Sequence, residues 1–426
     1  MSNTTVPVSD SSAEVAGAEI MIDQVVKRYP GQAKPAVEGI TLQIPAGKIV
    51  MLVGPSGCGK TTTLKMINRL IEPSEGRIVL GGEDVTNMNG DELRRRIGYV
   101  IQAGGLFPHM TVATNIGMVP KMLGWDKQRI ADRVDELLDL ISLDPAVYRD
   151  RYPKELSGGQ QQRVGVARAL AANPPVLLMD EPFGAVDPIT RQRLQDELIH
   201  IQSEVKKTIV FVTHDFDEAV KLGDWIVVFS EGAEIVQYDT PERILAEPAS
   251  EFVESFIGSG AGLKQLTLAR VDDVELHDCV RARPGDNAKD TLRLVEEARH
   301  EHVVVVDDRD RPRQWLTRRQ LSRINVIEEH TDPKLPIVGN RATLNDALDT
   351  MLVSSAGAAL VTGNRDKLLG VIDVETVMTA ITAAREAAAN ASDEDSPIGI
   401  NTGSIATVDE PAGQSGNETG SAEELR

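Results

Sequence analysis

Buried strands and amphipathic helices alternate along residues 19–257 of the chain. The apolar runs with the length of buried strands lie at residues 49–53, 97–101, 176–179, 208–213 and 225–229. Stretches with helical periodicity separate them, such as 127–141 and 160–172. This alternation predicts an α/β domain with a largely parallel sheet covered on both faces. Residues 19–45 predict antiparallel strands before that core.

The C-terminal part of the chain carries a weak internal repeat. At a constant offset of 56 residues, Asp310 pairs with Asp366 and Asp290 with Asp346. Each copy predicts a helix, a buried strand, an Arg-Asp turn, a second strand and a helix, and two copies predict two like modules that pack together. A chance alignment is the alternative.

Composition shifts along the chain predict the domain boundaries. Glycines alternate with small residues just after residue 257, which is typical of a flexible linker. The predicted units are a loose tail at 1–18, the α/β domain at 19–257, the glycine-rich linker at 258–265, the repeats at 266–325 and 326–385, and a disordered acidic tail at 386–426.

Charge and composition narrow the function classes. The 426 residues have a formal net charge of −20 and 4% aromatic residues, which argues against binding nucleic acid. Two cysteines cannot form a disulfide framework, so we expect a reducing cytosol. The apolar runs are too short to span a bilayer, and no secretory signal is visible.

A glycine-rich loop follows the strand at 49–53 and precedes a helical stretch at 62–71. The pattern G-x-x-x-x-G-K-[ST] is met by Gly54, Pro55, Ser56, Gly57, Cys58, Gly59, Lys60 and Thr61, with Thr62 next. Glycines let backbone N–H groups surround phosphate oxygens, and the helix N-terminus adds partial positive charge. Lys60 is predicted to reach the β- and γ-phosphates, and Thr61 to bind Mg²⁺. The alternative is a strand-to-helix turn without nucleotide.

Two adjacent carboxylates, Asp180 and Glu181, end the strand at 176–179. Charges at a buried strand end are costly unless a cation or a reacting group is present. Asp180 is suited to hold Mg²⁺ and Glu181 to polarise an attacking water. A solvated acidic loop is the alternative.

The segment Leu156-Ser157-Gly158-Gly159-Gln160 opens another predicted helix, with Ser157 as its N-cap. Together with the phosphate-binding loop and the Asp-Glu pair, it resembles the ATP-binding cassette (ABC) ATPase family, whose signature is LSGGQ. The resemblance covers residues 19–257 and implies a P-loop NTPase fold, with a RecA-like core and antiparallel and helical subdomains.

The resemblance also assigns further residues. It implies that Tyr29 stacks on adenine, that Gln102 links Mg²⁺ and water to the transport subunit, and that Asp187 is the D-loop aspartate. His214 matches the switch histidine that contacts the γ-phosphate. The implied catalytic residues are Glu181, His214 and Gln102; the implied metal-binding residues are Thr61, Gln102 and Asp180. The implied cofactors are ATP and Mg²⁺.

The family mechanism implies the partners. Two cassettes meet head to tail, so Ser157, Gly158, Gly159 and Gln160 of one chain would face the nucleotide on Lys60 of the other. A homodimer of ATPase subunits would bind integral membrane permease subunits at the cytoplasmic face of the inner membrane, served indirectly by an extracytoplasmic solute-binding protein. Residues 105–110, with Phe107 and Met110, resemble the importer segment that contacts the permease.

Segments 65–73 and 183–188 resemble the ATPase subunits of glycine betaine/carnitine/choline (osmoprotectant) importers. The C-terminal repeat resembles a tandem pair of cystathionine-β-synthase (CBS) domains, an α+β module that often binds regulatory adenine nucleotides. In both repeats the ribose-binding carboxylate is missing at its expected position, where Thr376 and Gln320 stand. The role of the repeats therefore stays open between four alternatives: binding a regulatory nucleotide, binding a cyclic dinucleotide, sensing salt through a charged surface, and passive dimerisation.

Two other functions compete with an osmoprotectant importer ATPase. One is the ATPase subunit of an importer for another small solute, such as an amino acid. The other is a soluble ABC ATPase that acts on ribosomes or DNA, which the acidic charge disfavours.

Overall fold

The computed structural model describes residues 16–101, 105–184, 186–258, 260–354 and 357–390. The strands of the N-terminal part, termed the cassette, are β1 (Ile20–Lys27), β2 (Val37–Ile44), β3 (Ile49–Val53), β4 (Glu75–Leu80), β5 (Glu83–Asp84), β6 (Ile97–Val100), β7 (Val176–Asp180), β8 (Thr208–Val212), β9 (Trp225–Phe229) and β10 (Ile235–Asp239). The predicted α/β architecture is confirmed.

The helices of the cassette are α1 (Lys60–Ile67), α2 (Gly90–Arg96), α3 (Val112–Ile116), α4 (Met118–Met122), α5 (Lys127–Leu140), α6 (Pro145–Tyr148), α7 (Gly158–Leu170), α8 (Pro188–Val205), α9 (Phe216–Leu222), α10 (Pro241–Ala246) and α11 (Glu251–Ile257). Most carry an Asp, Asn, Ser or Thr cap, and the side chain of Asp126 accepts a hydrogen bond from the first turn of α5. The helix predicted at 62–71 ends at Ile67, because Arg69 turns the chain with a φ of +47°.

The central sheet has the strand order β10-β9-β3-β8-β7-β6, with β9, β3, β8, β7 and β6 parallel and β10 antiparallel. Every residue of β3 is buried, and its two faces enter different cores. Ile49, Met51 and Val53 pack with the helical part of the cassette, whereas Val50 and Leu52 pack with the antiparallel sheet. A strand buried on both faces explains the continuous apolar run in the sequence.

The antiparallel sheet has the order β2-β1-β4-β5. The antiparallel pairing of β1 with β2, predicted for residues 19–45, is confirmed. The other partner of β1 is β4, which the hydropathy pattern did not predict. Its segment is exposed over half its length, so its apolar alternation is weak.

The elements of the C-terminal part are α12 (Ala261–Gln265), β11 (Val280–Ala282), α13 (Ala288–Glu297), β12 (His302–Val306), β13 (Pro312–Thr317), α14 (Arg318–Leu321), β14 (Ile337–Gly339), α15 (Leu344–Ser354), β15 (Ala358–Thr362), β16 (Leu368–Asp373) and α16 (Val374–Asn390). The first repeat runs from β11 to α14 and the second from β14 to α16. In each, the first strand is parallel and the third antiparallel to the middle strand. The register shifts also correspond, at Val305/Val306 and Val361/Thr362.

The segment between the cassette and the first repeat packs against the second repeat, which follows it only later in the chain. Leu266 and Val271 are buried in the core of the second repeat, and His277 forms a β-bridge with Val371. Residues 266–277 therefore pack with the second repeat rather than the first, because their apolar side chains fill its core. The segment predicted as a linker contains the helix α12.

Both predicted tails fall mostly outside the described residues. Of the N-terminal tail, residues 16–18 are described, and the N–H of Ala18 donates to the carbonyl of Pro175. Of the acidic tail, residues 386–390 are described and belong to α16. Within the described ranges, no helix combines the length and the apolar character needed to cross a membrane.

Candidate functional site: a phosphate-binding loop facing a carboxylate and a histidine

The candidate site lies where three neighbouring parallel strands end. The loop 54–59 follows β3, Glu181 follows β7 and His214 lies two residues after β8. These strands are adjacent in the order β3-β8-β7, so their carboxyl ends meet at one edge of the sheet. A cavity of about 480 Å³ opens there, lined by Ser56, Gly57, Gly59, Lys60, Thr61, Thr62, Glu181 and His214.

Three glycines of the loop have the left-handed backbone that favours glycine, with φ of +144° at Gly54, +83° at Gly57 and +114° at Gly59. A Cβ on Gly54 would lie 2.4 Å from the carbonyl oxygen of Phe229, so this glycine is required by packing as well. At Gly57 a Cβ would meet nothing within 4 Å. The open side of the loop therefore faces the cavity, where its N–H groups can cradle an anion.

Lys60 supplies a buried positive charge to the loop. The residue is 6% exposed, and its Nζ donates to the carbonyl oxygens of Gly54 at 2.7 Å and Pro55 at 2.9 Å. These contacts hold the ammonium inside the curve of the loop. Burial makes a charge costly unless an anion complements it, so the cavity is electrostatically suited to phosphate.

Thr61 and Asp180 form a pair of oxygen donors beside the loop. The Thr61 hydroxyl donates to Asp180 Oδ1 at 2.9 Å. The Tyr99 hydroxyl lies 3.4 Å from Asp180 Oδ2; burial, and then the negative charge of Asp180, raise the pKa of Tyr99. Oxygen ligands suit Mg²⁺, which in nucleotide sites commonly takes one carboxylate and completes its shell with phosphates and water. Among the described residues no cluster of three His, Cys, Asp or Glu could hold a metal by itself.

Glu181 and His214 lie side by side in the lining of the cavity, with Glu181 Oε2 3.3 Å from His214 Nδ1. Glu181 has a φ of +46°, in the left-handed region, and its N–H donates to the carbonyl of Val212 at 3.0 Å. A non-glycine residue in this region carries backbone strain of order 1 kcal/mol, which here turns the carboxylate toward the cavity.

A polar network that the sequence patterns did not predict surrounds the residues next to His214. The Thr213 hydroxyl donates to Glu218 Oε2 at 2.7 Å and accepts from the N–H of Asp215 at 3.0 Å. Burial raises the pKa of Glu218, and its hydrogen bond from Thr213 acts in the opposite direction. Arg191 of α8 lies 3.5 Å from Asp215 and 3.7 Å from Glu218. The one feature of the sequence that points to this network is the position of Glu218, four residues after His214 and at the start of a helix.

The remaining predicted residues lie apart from this cavity. Ser157 caps α7 and forms a capping box with Gln160, whose amide donates to the Tyr148 hydroxyl at 3.1 Å. Gly158 is exposed, whereas a Cβ on Gly159 would lie 2.6 Å from Thr190 Cγ2. None of the four residues 157–160 lines the described cavity.

Tyr29, Asp187 and Gln102 complete the predicted set. Tyr29 lies in the loop after β1 with Lys27 Nζ 5.1 Å from its ring centroid, and it is not among the cavity-lining residues. Asp187 caps α8, and its hydrogen bonds with Thr190 lower its pKa. Gln102 falls outside the described residues. The functional roles of these residues, like those of the cavity residues, stay predictions.

Comparison with known proteins adds independent findings. Residues 37–184 match the family model described as ABC transporter. The chain is 49% identical over 312 residues to the "Osmoprotectant import ATP-binding protein OsmV" of Salmonella typhimurium, covering 72% of this chain and 81% of that protein. It is 52% identical over 289 residues to the "Glycine betaine/carnitine/choline transport ATP-binding protein OpuCA" of Bacillus subtilis, covering 68% and 75%.

Among solved structures, cbiO1 from Clostridium perfringens, described as part of the ABC transporter complex cbiONQ, superposes with a TM-score of 0.50 and 28% identity. The superposition covers 54% of this chain and 91% of that chain. The 312-residue alignment with the Salmonella protein is longer than the cassette, so similarity extends into the C-terminal part.

Proposed function

Since this chain belongs to the ATP-binding proteins of the osmoprotectant (glycine betaine/carnitine/choline) importer family of ABC transporters, we propose that it hydrolyses ATP to drive uptake of a quaternary amine. ATP binding and hydrolysis belong to the family as a whole. The solute class rests on the printed functions of the relatives, since a motor subunit need not contact the solute.

The observation that carries the proposal is the convergence of Lys60, Glu181 and His214 on one cavity. We assign Lys60 and the N–H groups of the loop to the phosphates, because they supply the local positive charge. Glu181 would accept a proton from the attacking water, and His214, beside it, would contact the γ-phosphate. Phosphoryl transfer needs little more from a protein than such positioning and charge stabilisation.

Magnesium fits the donor pair of Thr61 and Asp180, with Gln102 as a further expected ligand. When bound, Mg²⁺ would neutralise charge that develops on the phosphates. The chain itself contributes the Thr61 hydroxyl, the Asp180 carboxylate and the half-buried Tyr99, whose hydroxyl lies 3.4 Å from the other oxygen of Asp180.

ABC ATP-binding subunits act as dimers, and we propose that this one forms a head-to-tail homodimer. The separation of residues 157–160 from the cavity of the same chain supports this arrangement, because Ser157 and Gly158 present an exposed helix N-terminus to another molecule. A helix N-terminus attracts anions. Tyr29 and Asp187 would complete the shared site.

Such subunits work with membrane permease components, and we place that contact at the segment containing Phe107. Phe107 is 41% exposed, and Met122 and Leu123, at the end of α4, are 65% and 43% exposed. Exposed large apolar side chains are candidates for contacts with a partner. The cassette would thus lie at the cytoplasmic face of the inner membrane, with the extracytoplasmic solute-binding protein on the other side.

For the C-terminal part we propose a regulatory CBS pair. A cavity of about 260 Å³ lies between the repeats, lined in part by His277, His302, Trp315 and Asp373. The Thr376 hydroxyl donates a hydrogen bond to Asp373 Oδ1 at 2.8 Å and lies 3.0 Å from His277 Nε2. Thr376, where a ribose-binding carboxylate is expected, is thus engaged within the protein, which favours salt or a ligand other than a simple adenine nucleotide.

The decisive experiment is uptake by vesicles that contain the chain with its permease subunits and binding protein. We expect internal Mg-ATP to drive uptake of labelled glycine betaine, with competition by choline and carnitine but not by methionine. The Glu181→Gln complex is the matched control and should take up none. Competition by amino acids alone would overturn the solute class, and co-purification with ribosomes or DNA instead of a permease would overturn the transport function.

The same vesicles test the regulatory proposal. We expect the rate of ATP hydrolysis to change with internal salt concentration, or on addition of AMP, ATP analogues or a cyclic dinucleotide. A rate that responds to none of these would show that the repeats form a passive dimerisation module.

A further inference from the structure

Helix α12 joins the cassette to the C-terminal part and is packed into both. Ala261 at its start and Leu268 just after it pack against the helical core of the cassette. Leu266, directly after its last residue, is 1% exposed and belongs to the core of the second repeat. The elements α12 and α10 also pack against α16. Helix α12 is therefore in contact with both the cassette and the second repeat.

Lys264, on α12, contacts the first turn of α9. Its Nζ donates to Asp217 Oδ1 and lies 5.6 Å from the ring centroid of Phe216. The Lys264 side chain is 22% exposed. Phe216 is buried and packs edge-on against Phe256 at 6.1 Å between centroids. Lys264 thus contacts both Asp217 and Phe216 in the first turn of α9.

This turn is continuous with the candidate catalytic histidine. Asp215, next to His214, caps α9 by accepting hydrogen bonds from the N–H groups of Asp217 at 2.9 Å and Glu218 at 3.3 Å. From the other side, Arg191 lies 3.5 Å from Asp215. The beginning of α9, two residues after His214, is therefore held between α8 of the cassette and α12.

We propose that Lys264 is a positioning residue for ATP hydrolysis, which holds the first turn of α9 and through it His214. By this contact the second repeat acts on the rate of turnover. The proposal rests on the catalytic role proposed for His214. It is independent of which ligand or ionic condition the C-terminal part responds to.

The test is a charge exchange in the full chain, measured as steady-state ATP hydrolysis by the complex with its permease. The Lys264→Glu variant should lower kcat roughly two- to fivefold, as expected for one partly exposed ion pair with a cation–π contact. The KM for ATP should stay within about twofold of wild type, because the phosphate loop is untouched. The double variant Lys264→Glu, Asp217→Lys should regain most of the loss, and Lys264→Arg should keep near wild-type kcat.

The matched control is Arg77→Glu, which removes an exposed ion pair with Asp23 in the antiparallel sheet and should leave kcat unchanged. An unchanged kcat in Lys264→Glu, a change confined to KM, or a loss that the charge exchange does not restore would each overturn the proposal. A wild-type complex without ATPase activity would instead contradict the proposed function.

Discussion

His214 Nδ1 lies 3.3 Å from Glu181 Oε2, because the two residues follow the neighbouring strands β8 and β7 of the central sheet. Both residues line the cavity that Lys60 also lines. A carboxylate and an imidazole at this separation can orient a water and hold a phosphate oxygen at the same time.

The first prediction concerns Glu181. Glu181→Gln keeps the shape of the cavity and the phosphate loop but removes the carboxylate that accepts a proton. We expect ATP affinity within about twofold of wild type and turnover lowered by about 100-fold or more. Equilibrium nucleotide binding and steady-state phosphate release measure the two effects. Phosphate release at the wild-type rate would exclude Glu181 from this role.

The second prediction concerns Lys60. Lys60→Ala removes the buried ammonium that the Gly54 and Pro55 carbonyls hold in the loop. We expect ATP affinity to fall roughly 10- to 100-fold, as for loss of a charged hydrogen bond. Titration with a fluorescent ATP analogue measures it, with Lys65→Ala on the same helix as the control. Equal affinities in the two variants would refute the assignment.

The third prediction separates the two glycines of the signature segment. A Cβ on Gly159 would lie 2.6 Å from Thr190 Cγ2, whereas a Cβ on Gly158 meets nothing within 4 Å. Thr190 is β-branched and lies on helix α8, so its side chain has few alternative rotamers that would relieve the clash. Gly159→Ala should lower the free energy of unfolding by about 1–2 kcal/mol.

Gly158→Ala serves as the matched control for folding and should leave the melting temperature unchanged or slightly raised. The ATPase activity of Gly158→Ala should nevertheless fall, because the exposed start of α7 contacts the nucleotide of the partner chain in the proposed dimer. Thermal denaturation and phosphate release distinguish the two. Equal stabilities of the variants would contradict the packing argument.

The fourth prediction tests the dimer by mixing inactive chains. Lys60→Ala and Ser157→Arg should each abolish hydrolysis alone. In a head-to-tail dimer, a mixed pair regains one intact site, so an equimolar mixture should recover up to about a quarter of wild-type activity. A mixture as inactive as its components would mean that each site is built from a single chain.

The fifth prediction is a pH dependence. Burial raises the pKa of Glu218 above its ordinary value of 4.5. The folded protein therefore keeps this proton to higher pH than the unfolded chain, so the contribution of Glu218 to stability falls as pH rises through 4.5 and levels off above the raised pKa. The stability of Glu218→Gln relative to wild type should increase over that window.

Melting temperatures measured from pH 4 upward in half-unit steps test this, with the exposed Glu251→Gln as the control. A difference between Glu218→Gln and wild type that is constant across the window would show that burial does not perturb this carboxyl.

The sequence predicted those parts of the site that one continuous stretch determines. Residues 54–62, Asp180-Glu181 and His214 each follow an apolar strand, and parallel strands bring such ends together. The strand at 225–229 and the helix beginning at 127 lie where the hydropathy pattern predicted them. These elements are buried along a face or on both faces, so periodicity alone identifies them.

The contacts that depend on packing could not be predicted in this way. Arg191 reaches Asp215 from a different helix, and Lys264 reaches Asp217 across 47 positions of the chain. Nothing local marks either basic residue, since both resemble ordinary surface charges. For the same reason, the glycines after residue 257 suggested only a linker and not the helix that follows them.

The anchoring of residues 261–268 in two cores has a consequence for protein engineering. A chimera that joins this cassette to the C-terminal half of a relative at Gly258 would replace Ala261 and Leu268, and so change the cassette interior. A junction after residue 277 would instead leave Leu266 and Val271 facing a foreign second repeat. The two halves are thus not interchangeable modules, and substitutions in this short stretch are expected to be inherited together with compensating changes on both sides.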